Sequence, residues 1–329
     1  MADKSAQQGI VLYNYAFSPF GKRVAAYLAL RGIEYALCEQ PFVMPRPDLA
    51  LLPVHYRRIP ILVIGRDIYL DTRLMLRVLE SQPGVTTPPL GATNPQELFI
   101  EKLLEKYMIE GPVFAIAGGL VPVDVAQDPT FKKDRQGMLG RTWEKEELEE
   151  GRGECLNYVR NLYDFFETTI LANGREWVLG GEGPRLADIE AAFMLDFISG
   201  MQLPEDLISA TLFPKVFAWL DRYRAAVDKA KSSASQPTKL DGQAAAEHIL
   251  RSDFGHSSCS VDANDPAGLR DGIEVQIYPA DWVTEHKDQG RLVGLSADEV
   301  TIAVKSKKDV EIRIHAPRTG FKTKEIGTN

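Results

Sequence analysis

Apolar and polar positions along this chain follow two different periods, and the changes of period mark its organisation. Residues 10–13 (IVLY) form a short apolar run that predicts a buried strand. Ser18 and Pro19 then open a segment with Val24, Tyr27, Leu28 and Arg31 at helical spacing, and Gly32 closes it. Ser at the N-cap, Pro at the first helical position and Gly just past the end are mutually consistent start and stop signals. Residues 35–39 predict a second strand, 59–65 (IPILVIG) a third and 67–70 (DIYL) a short fourth. From Thr72 a second helix carries Leu74, Met75, Val78 and Leu79 on one face. Pro45, Pro47 and Pro53 leave little room for a long helix in the middle loop. The predicted order is strand, helix, strand, loop, strand, strand, helix.

A stretch rich in Pro, Gly and Thr (82–95) reads as an interdomain linker. Long helical patterns follow at 95–110, 129–172, 187–199 and 212–231, with the acidic run from Glu144 to Glu150 on a solvated face. Residues 232–272 are rich in Ser, Ala, Asp and Gly and predict one short helix near 241–252, otherwise linker. The period then becomes two: Ile273, Val275 and Ile277, next Val300, Ile302 and Val304, then Val310, Ile312 and Ile314 alternate with polar residues. Four or five short strands therefore end the chain. The expected domains are 1–84 (α/β), 92–231 (all-helical), a linker over 232–265, and a small all-β domain, a compact barrel or curled sheet, over 266–329.

Composition narrows the functional classes. The 329 residues suffice for two or three domains. The formal net charge of -8 points away from nucleic-acid and anionic-membrane partners. Cys38, Cys155 and Cys259 are an odd, sparse set with no disulfide framework, which suggests a reducing compartment. The polar start MADKSAQQG lacks an apolar signal core, and no run approaches the roughly 18 apolar residues of a membrane span. A soluble cytoplasmic protein is the expectation.

The residues LYNYAFSPFGKRV (12–24), RRIPIL (57–62) and DIYLDTRLMLRVLE (67–80), followed by RLADIEAAF (185–193), resemble the glutathione S-transferase family, over roughly residues 9–230. Each motif is short, and their order and spacing carry the likeness. The phrases GRLVGLSADEV and HAPRTGF of the terminal segment lie outside the usual two-domain transferase and resemble an appendage of fungal transferase-like proteins. The resemblance implies a thioredoxin-like N-terminal domain, an all-α transferase domain, glutathione as co-substrate, a small apolar electrophile as second substrate, and a homodimer. Detoxification or secondary metabolism would be its setting.

It also implies roles for particular residues. Ser18 stands where the family holds the glutathione sulfur. A free thiol titrates near pH 8.5, and a hydroxyl donor at a helix N-terminus favours the thiolate. Simple capping of its helix explains Ser18 as well, and Tyr13 and Tyr15 are other hydroxyl donors. At Ile59-Pro60 the family turn exposes the backbone of the residue before a cis-Pro, so that Ile59 would pair with the cysteine part of glutathione; a Pro at a strand start is the plain alternative. Asp71 and Thr72 would hold the γ-glutamyl end, Thr72 its carboxylate and Asp71 its ammonium, at a helix start that suits an anion; simple capping of that helix is the plain alternative and is compatible with the role. Of the basic pair Arg57 and Arg58, Arg58, or more weakly His55, would hold the glycine carboxylate, in a loop longer than the family's common Asn-Pro-x-Gly-Lys pattern; exposed arginines with no ligand are the equal alternative.

Asp188 matches the acidic half of a family capping box whose Ser/Thr half is replaced by Arg185, and reads as structural. His256 and Cys259 have ligand chemistry but no second pair at zinc spacing. Gly118-Gly119 and Gly180-Gly181 lack the strand-to-helix setting of nucleotide loops, and Lys305, Lys307 and Lys308 fit a solvated hairpin turn. The leading expectation is a glutathione-binding enzyme whose acceptor walls include Phe17, Phe20, Tyr107, Met108 and Phe114. Conjugation, or thiol-driven cis–trans isomerisation of an activated alkene, would be the reaction. Thiol–disulfide exchange is disfavoured because Ser18 stands where such enzymes need Cys. A non-catalytic binding protein on the same scaffold is the alternative class.

Overall fold

A computed structural model describes residues 9–139, 143–255 and 259–327. In chain order the elements are β1 (Ile10–Asn14), α1 (Pro19–Leu30), β2 (Ala36–Glu39), β3 (Ile61–Ile64), β4 (Asp67–Tyr69), α2 (Thr72–Glu80), α3 (Pro95–Glu110), α4 (Val113–Gly119), α5 (Val123–Ala126), α6 (Pro129–Leu139), α7 (Lys145–Thr168), α8 (Leu186–Ser199) and α9 (Pro214–Ser233). They continue with β5 (Thr238–Lys239), α10 (Gly242–Arg251), β6 (Glu274–Pro279), β7 (Asp288–Leu295), β8 (Glu299–Lys305), β9 (Glu311–Pro317) and β10 (Phe321–Glu325). The long helical stretch predicted over 129–172 is two helices, α6 and α7. The middle loop holds a short 3-10 turn at Leu49–Leu51, in keeping with its prolines.

Two compact units result. One comprises the chain up to Val24, Ile33–Val85 and the chain from Gln236 onward; the other comprises Ala25–Gly32 and Thr86–Ser235. In the first unit β1 pairs in parallel with β2 and antiparallel with β3, and β4 follows β3. This thioredoxin-like arrangement places the start of α1 and the start of α2 at one end of the sheet. Gly21 is required where α1 descends on β1: a Cβ there would lie 1.9 Å from Oδ1 of Asn14.

The terminal strands depart from the expected free-standing β-domain. Among the described residues, all ten strands form a single sheet in the order β10-β6-β7-β8-β9-β4-β3-β1-β2-β5. The seam is parallel pairing of β4 with β9, with Ile68 opposite Ile314 and Tyr69 opposite His315. At the other edge β5 pairs with β2, inside the segment expected to be linker. An open edge presents unpaired backbone donors and acceptors, so these additions satisfy both edges of the thioredoxin-like sheet. One apolar core runs through the whole sheet, from Val11, Ile61 and Ile68 to Val275, Ile302 and Ile314. Period-two patterning identified the strands, but it says nothing of which edge they join.

A buried ionic cluster closes the seam. Nε2 of His315 lies 2.9 Å from Asp67 and its Nδ1 lies 2.7 Å from Glu299 and 3.1 Å from the Thr301 hydroxyl. Burial works against charge on this imidazole, but the two carboxylates outweigh it and raise its pKa above the ordinary value. The Tyr69 ring stacks on His315 with centroids 4.6 Å apart.

The second unit is helical, with α8 at its centre and buried on nearly every face. Asp188 in its first turn accepts from the backbone N–H of Val178 at 2.8 Å, from Arg185 N–H at 3.0 Å and from the Trp219 indole at 2.9 Å. The acidic half of the capping box is thus present, while the Arg185 side chain turns to Glu97 at 2.8 Å. Among the described residues no helix is long and apolar enough to cross a membrane.

Candidate functional site

Ser18 ends the loop after β1 and caps α1. Its Oγ accepts from the backbone N–H of Gly21 at 3.0 Å and lies 3.5 Å from the carbonyl oxygen of Ile59. The residue is 2% exposed, while its neighbour Phe17 is 75% exposed. The hydroxyl therefore sits at the positive end of a 12-residue helix, its acceptor capacity turned to the cap and its proton free to swing from Ile59 to a ligand. Tyr13 does not compete for that role: it is fully buried, and burial pushes its phenol far above the ordinary range. Tyr15 packs edge-on against Phe42.

The Ile59–Pro60 peptide is cis, and so is Met44–Pro45, which the sequence did not single out. The approach to Ile59 is held from two sides. The Arg46 guanidinium donates to the Arg57 carbonyl. Asp288, at the start of β7, takes the N–H of His55 at 2.5 Å. Burial raises the Asp288 carboxyl to about 7, against the lowering effect of the His55 and Tyr56 N–H groups. His55 itself is exposed. Arg58 points to the turn after β6, where it is bonded to the Asp281 carboxylate and, at 2.9 Å, to the carbonyl of Trp282.

At the third point Asp71 is the N-cap of α2, accepting from Arg73 N–H at 2.9 Å. The Arg73 side chain also grips both carboxylate oxygens, at 2.9 and 3.1 Å. Burial works to raise the Asp71 pKa, but Arg73 outweighs it, with help from Arg23, and holds the carboxyl below its usual value. Thr72 is buried and its hydroxyl oxygen accepts from Arg23 at 2.5 Å. That leaves the Thr72 O–H as a donor at the N-terminus of α2.

The fold brings Ser18 and Ile59 together directly, and Asp71-Thr72 is tied to α1 through Arg23. Arg58 stands at the same segment but already has a carboxylate partner. Sequence reasoning missed Arg23, Arg73, Asp281 and Asp288. A buried Arg on the apolar face of α1 was a visible anomaly at position 23, whereas nothing local marks the two distant aspartates. His256 lies outside the described residues.

Residues 12–89 match the family of the glutathione S-transferase N-terminal domain, and residues 116–232 match a domain of unknown function (DUF7962). The curated relative Glutathione S-transferase U1 of Arabidopsis thaliana is 25% identical over 226 residues, 67% of this chain and 85% of that protein. A GST-like protein from Pseudomonas syringae superposes with a TM-score of 0.70 at 22% identity, covering 97% of this chain and all of the other, so the terminal strands have counterparts there. A glutathione transferase family member from Pseudomonas fluorescens, solved with two glutathione bound, gives a TM-score of 0.51 at 19% identity over 68% of this chain and 92% of its own. The chain therefore has a glutathione transferase-like fold: a thioredoxin-fold N-terminal domain similar to that family's, a helical region, and a C-terminal region of β-strands.

Proposed function

We propose that this chain is a glutathione transferase-like enzyme that binds glutathione at the N-termini of α1 and α2. The observation that carries the reading is the placement of the Ser18 hydroxyl at a helix start, 3.5 Å from the carbonyl of the residue before a cis-Pro. The sulfur of glutathione would take the Ser18 O–H, Ile59 would pair with its cysteine backbone, and Thr72 with the α2 N-terminus would receive the γ-glutamyl carboxylate. A thiolate formed there attacks an electrophilic carbon of a small apolar acceptor. Reversible addition and release at an activated alkene would instead isomerise it. The family match of residues 12–89 and the glutathione-bound relative support this reading. It extends to a Ser-type member of the family, dimeric and working in a reducing compartment, where Cys38, Cys155 and Cys259 form no disulfide.

A second reading, a non-catalytic protein on the same scaffold, is favoured by the pairing of Asp71 with Arg73 and of Arg58 with Asp281, since both polar anchors already have partners. Titration with glutathione, followed by ultraviolet thiolate absorbance of the complex, separates the two. Binding with a thiolate signal at neutral pH and turnover of at least one electrophile supports the enzyme. Binding without either supports the second reading, and absence of binding at millimolar glutathione sinks the enzyme and leaves only the second reading.

A further inference from the structure

The terminal strand region meets α2 and the segment before Pro60 at arginines. Arg73 donates to the Thr319 carbonyl at 3.1 Å, and further along α2 Arg77 donates to Glu299 at the start of β8 at 3.0 Å. Arg58 differs, because its partner Asp281 is a carboxylate standing at the arginine proposed for a carboxylate of the ligand. We propose that Asp281 is a specificity-determining residue: it occupies the place at Arg58 that the glycine carboxylate of glutathione would take, and so relaxes selection for the glycine end of the tripeptide. The inference rests on the glutathione reading above.

Donor accounting supports it. Nη2 of Arg58 bears two protons, and they face the Asp281 carboxylate and the Trp282 carbonyl. Nε is buried without a partner among the described residues. A second carboxylate cannot take a two-point grip on the guanidinium while Asp281 is there, and the pair offers it no net positive charge. The contact is also exchangeable, since the Asp281 side chain is 49% exposed and half-solvated ion pairs are weak. Arg58 keeps its position without Asp281, because the Trp282 carbonyl and the Trp282 ring, 5.9 Å from the guanidinium carbon, still hold it.

The test compares glutathione with γ-glutamylcysteine, which lacks the glycine, by calorimetry on the full-length protein and on Asp281→Asn. The unaltered protein should bind the two thiols within about fivefold of each other, the range of a weak surface pair. Asp281→Asn should bind glutathione about tenfold tighter, the gain of one charge-assisted bond, and γ-glutamylcysteine unchanged. In the double variant Arg58→Gln/Asp281→Asn that gain should vanish. Asp281→Ser, with thermal melts of every variant, guards against a folding defect in any one. An Asp281→Asn protein that binds glutathione no tighter, or shifts both thiols alike, overturns the inference and leaves the glutathione reading standing. If no variant binds either thiol, the reading falls and takes the inference with it.

Discussion

Ser18 and Ile59 are 41 positions apart, yet the hydroxyl of the first lies 3.5 Å from the carbonyl of the second. One residue starts a helix and the other precedes a cis-Pro at a strand start, so the contact joins the two backbone devices of the site. Because Ser18 also caps α1 through Gly21 N–H, structure and chemistry make separable demands on one oxygen.

Ser18→Ala should cost about 1 kcal/mol of stability, the ordinary value of an N-cap. Glutathione affinity should change less than the thiolate does. The bound thiol should titrate near its free value of about 8.5. Urea denaturation and the pH dependence of thiolate absorbance read these two effects independently. An unchanged absorbance would move the role to another donor.

Asp288 is buried and its pKa is raised to about 7, above the unfolded value, so the folded state binds the extra proton. Its stabilising contribution is therefore complete below about pH 4 and is lost as pH rises through 7. Asp288→Asn keeps an oxygen for the His55 and Tyr56 N–H groups and removes the buried charge. The variant should be at least about 1 kcal/mol more stable than the parent at pH 8, with no gain at pH 4. Denaturant melts at the two pH values decide it.

His315 behaves with the same sign for a different reason. Its pKa is raised despite burial because Asp67 and Glu299 each hold a ring nitrogen. The stabilisation it gives is full below the unfolded imidazole pKa of about 6.5 and is lost as pH rises through the higher folded value. His315→Leu leaves Asp67 in the sheet seam with Arg313 at 3.9 Å. That should cost about 3–5 kcal/mol, as when one partner of a buried pair is removed. The midpoint shift in guanidinium should be larger at pH 6 than at pH 9.

In the helical unit, Asp188→Ala strands the N–H groups of Val178 and Arg185 and the Trp219 indole. A loss of about 3 kcal/mol is expected from two buried donors and one half-buried donor left unpaired. Asp188→Asn should lose less, since its carbonyl oxygen can still serve Val178 and Trp219 while its amide faces the Arg185 N–H. Thermal unfolding of the two variants, with Trp219 as fluorescence probe, orders them; equal losses would refute the donor accounting.

The sequence by itself determined the local elements and the residue types at their ends. Ser18-Pro19 and Gly32 bracket α1, Asp71 starts α2, and the apolar runs at 10–13 and 61–64 are strands, because capping and periodicity act within a few residues. The order of these elements also sufficed to suggest the family. Tertiary structure alone decided what the long-range partners are. Arg58 was legible as a cation but not as the partner of Asp281, 223 positions away. Asp71 was legible as a carboxylate, and Arg73, two residues on, gave no sign that its guanidinium would fold back on it. The terminal strands could be counted from their alternation, yet only pairing of Ile68 with Ile314 made them part of the first domain's sheet. A period of two fixes which side chains share a face and leaves the hydrogen-bonding edge free. The bonds at any edge are made by backbone groups, which every residue but proline carries alike, so the choice falls to long-range side-chain contacts such as His315 with Asp67.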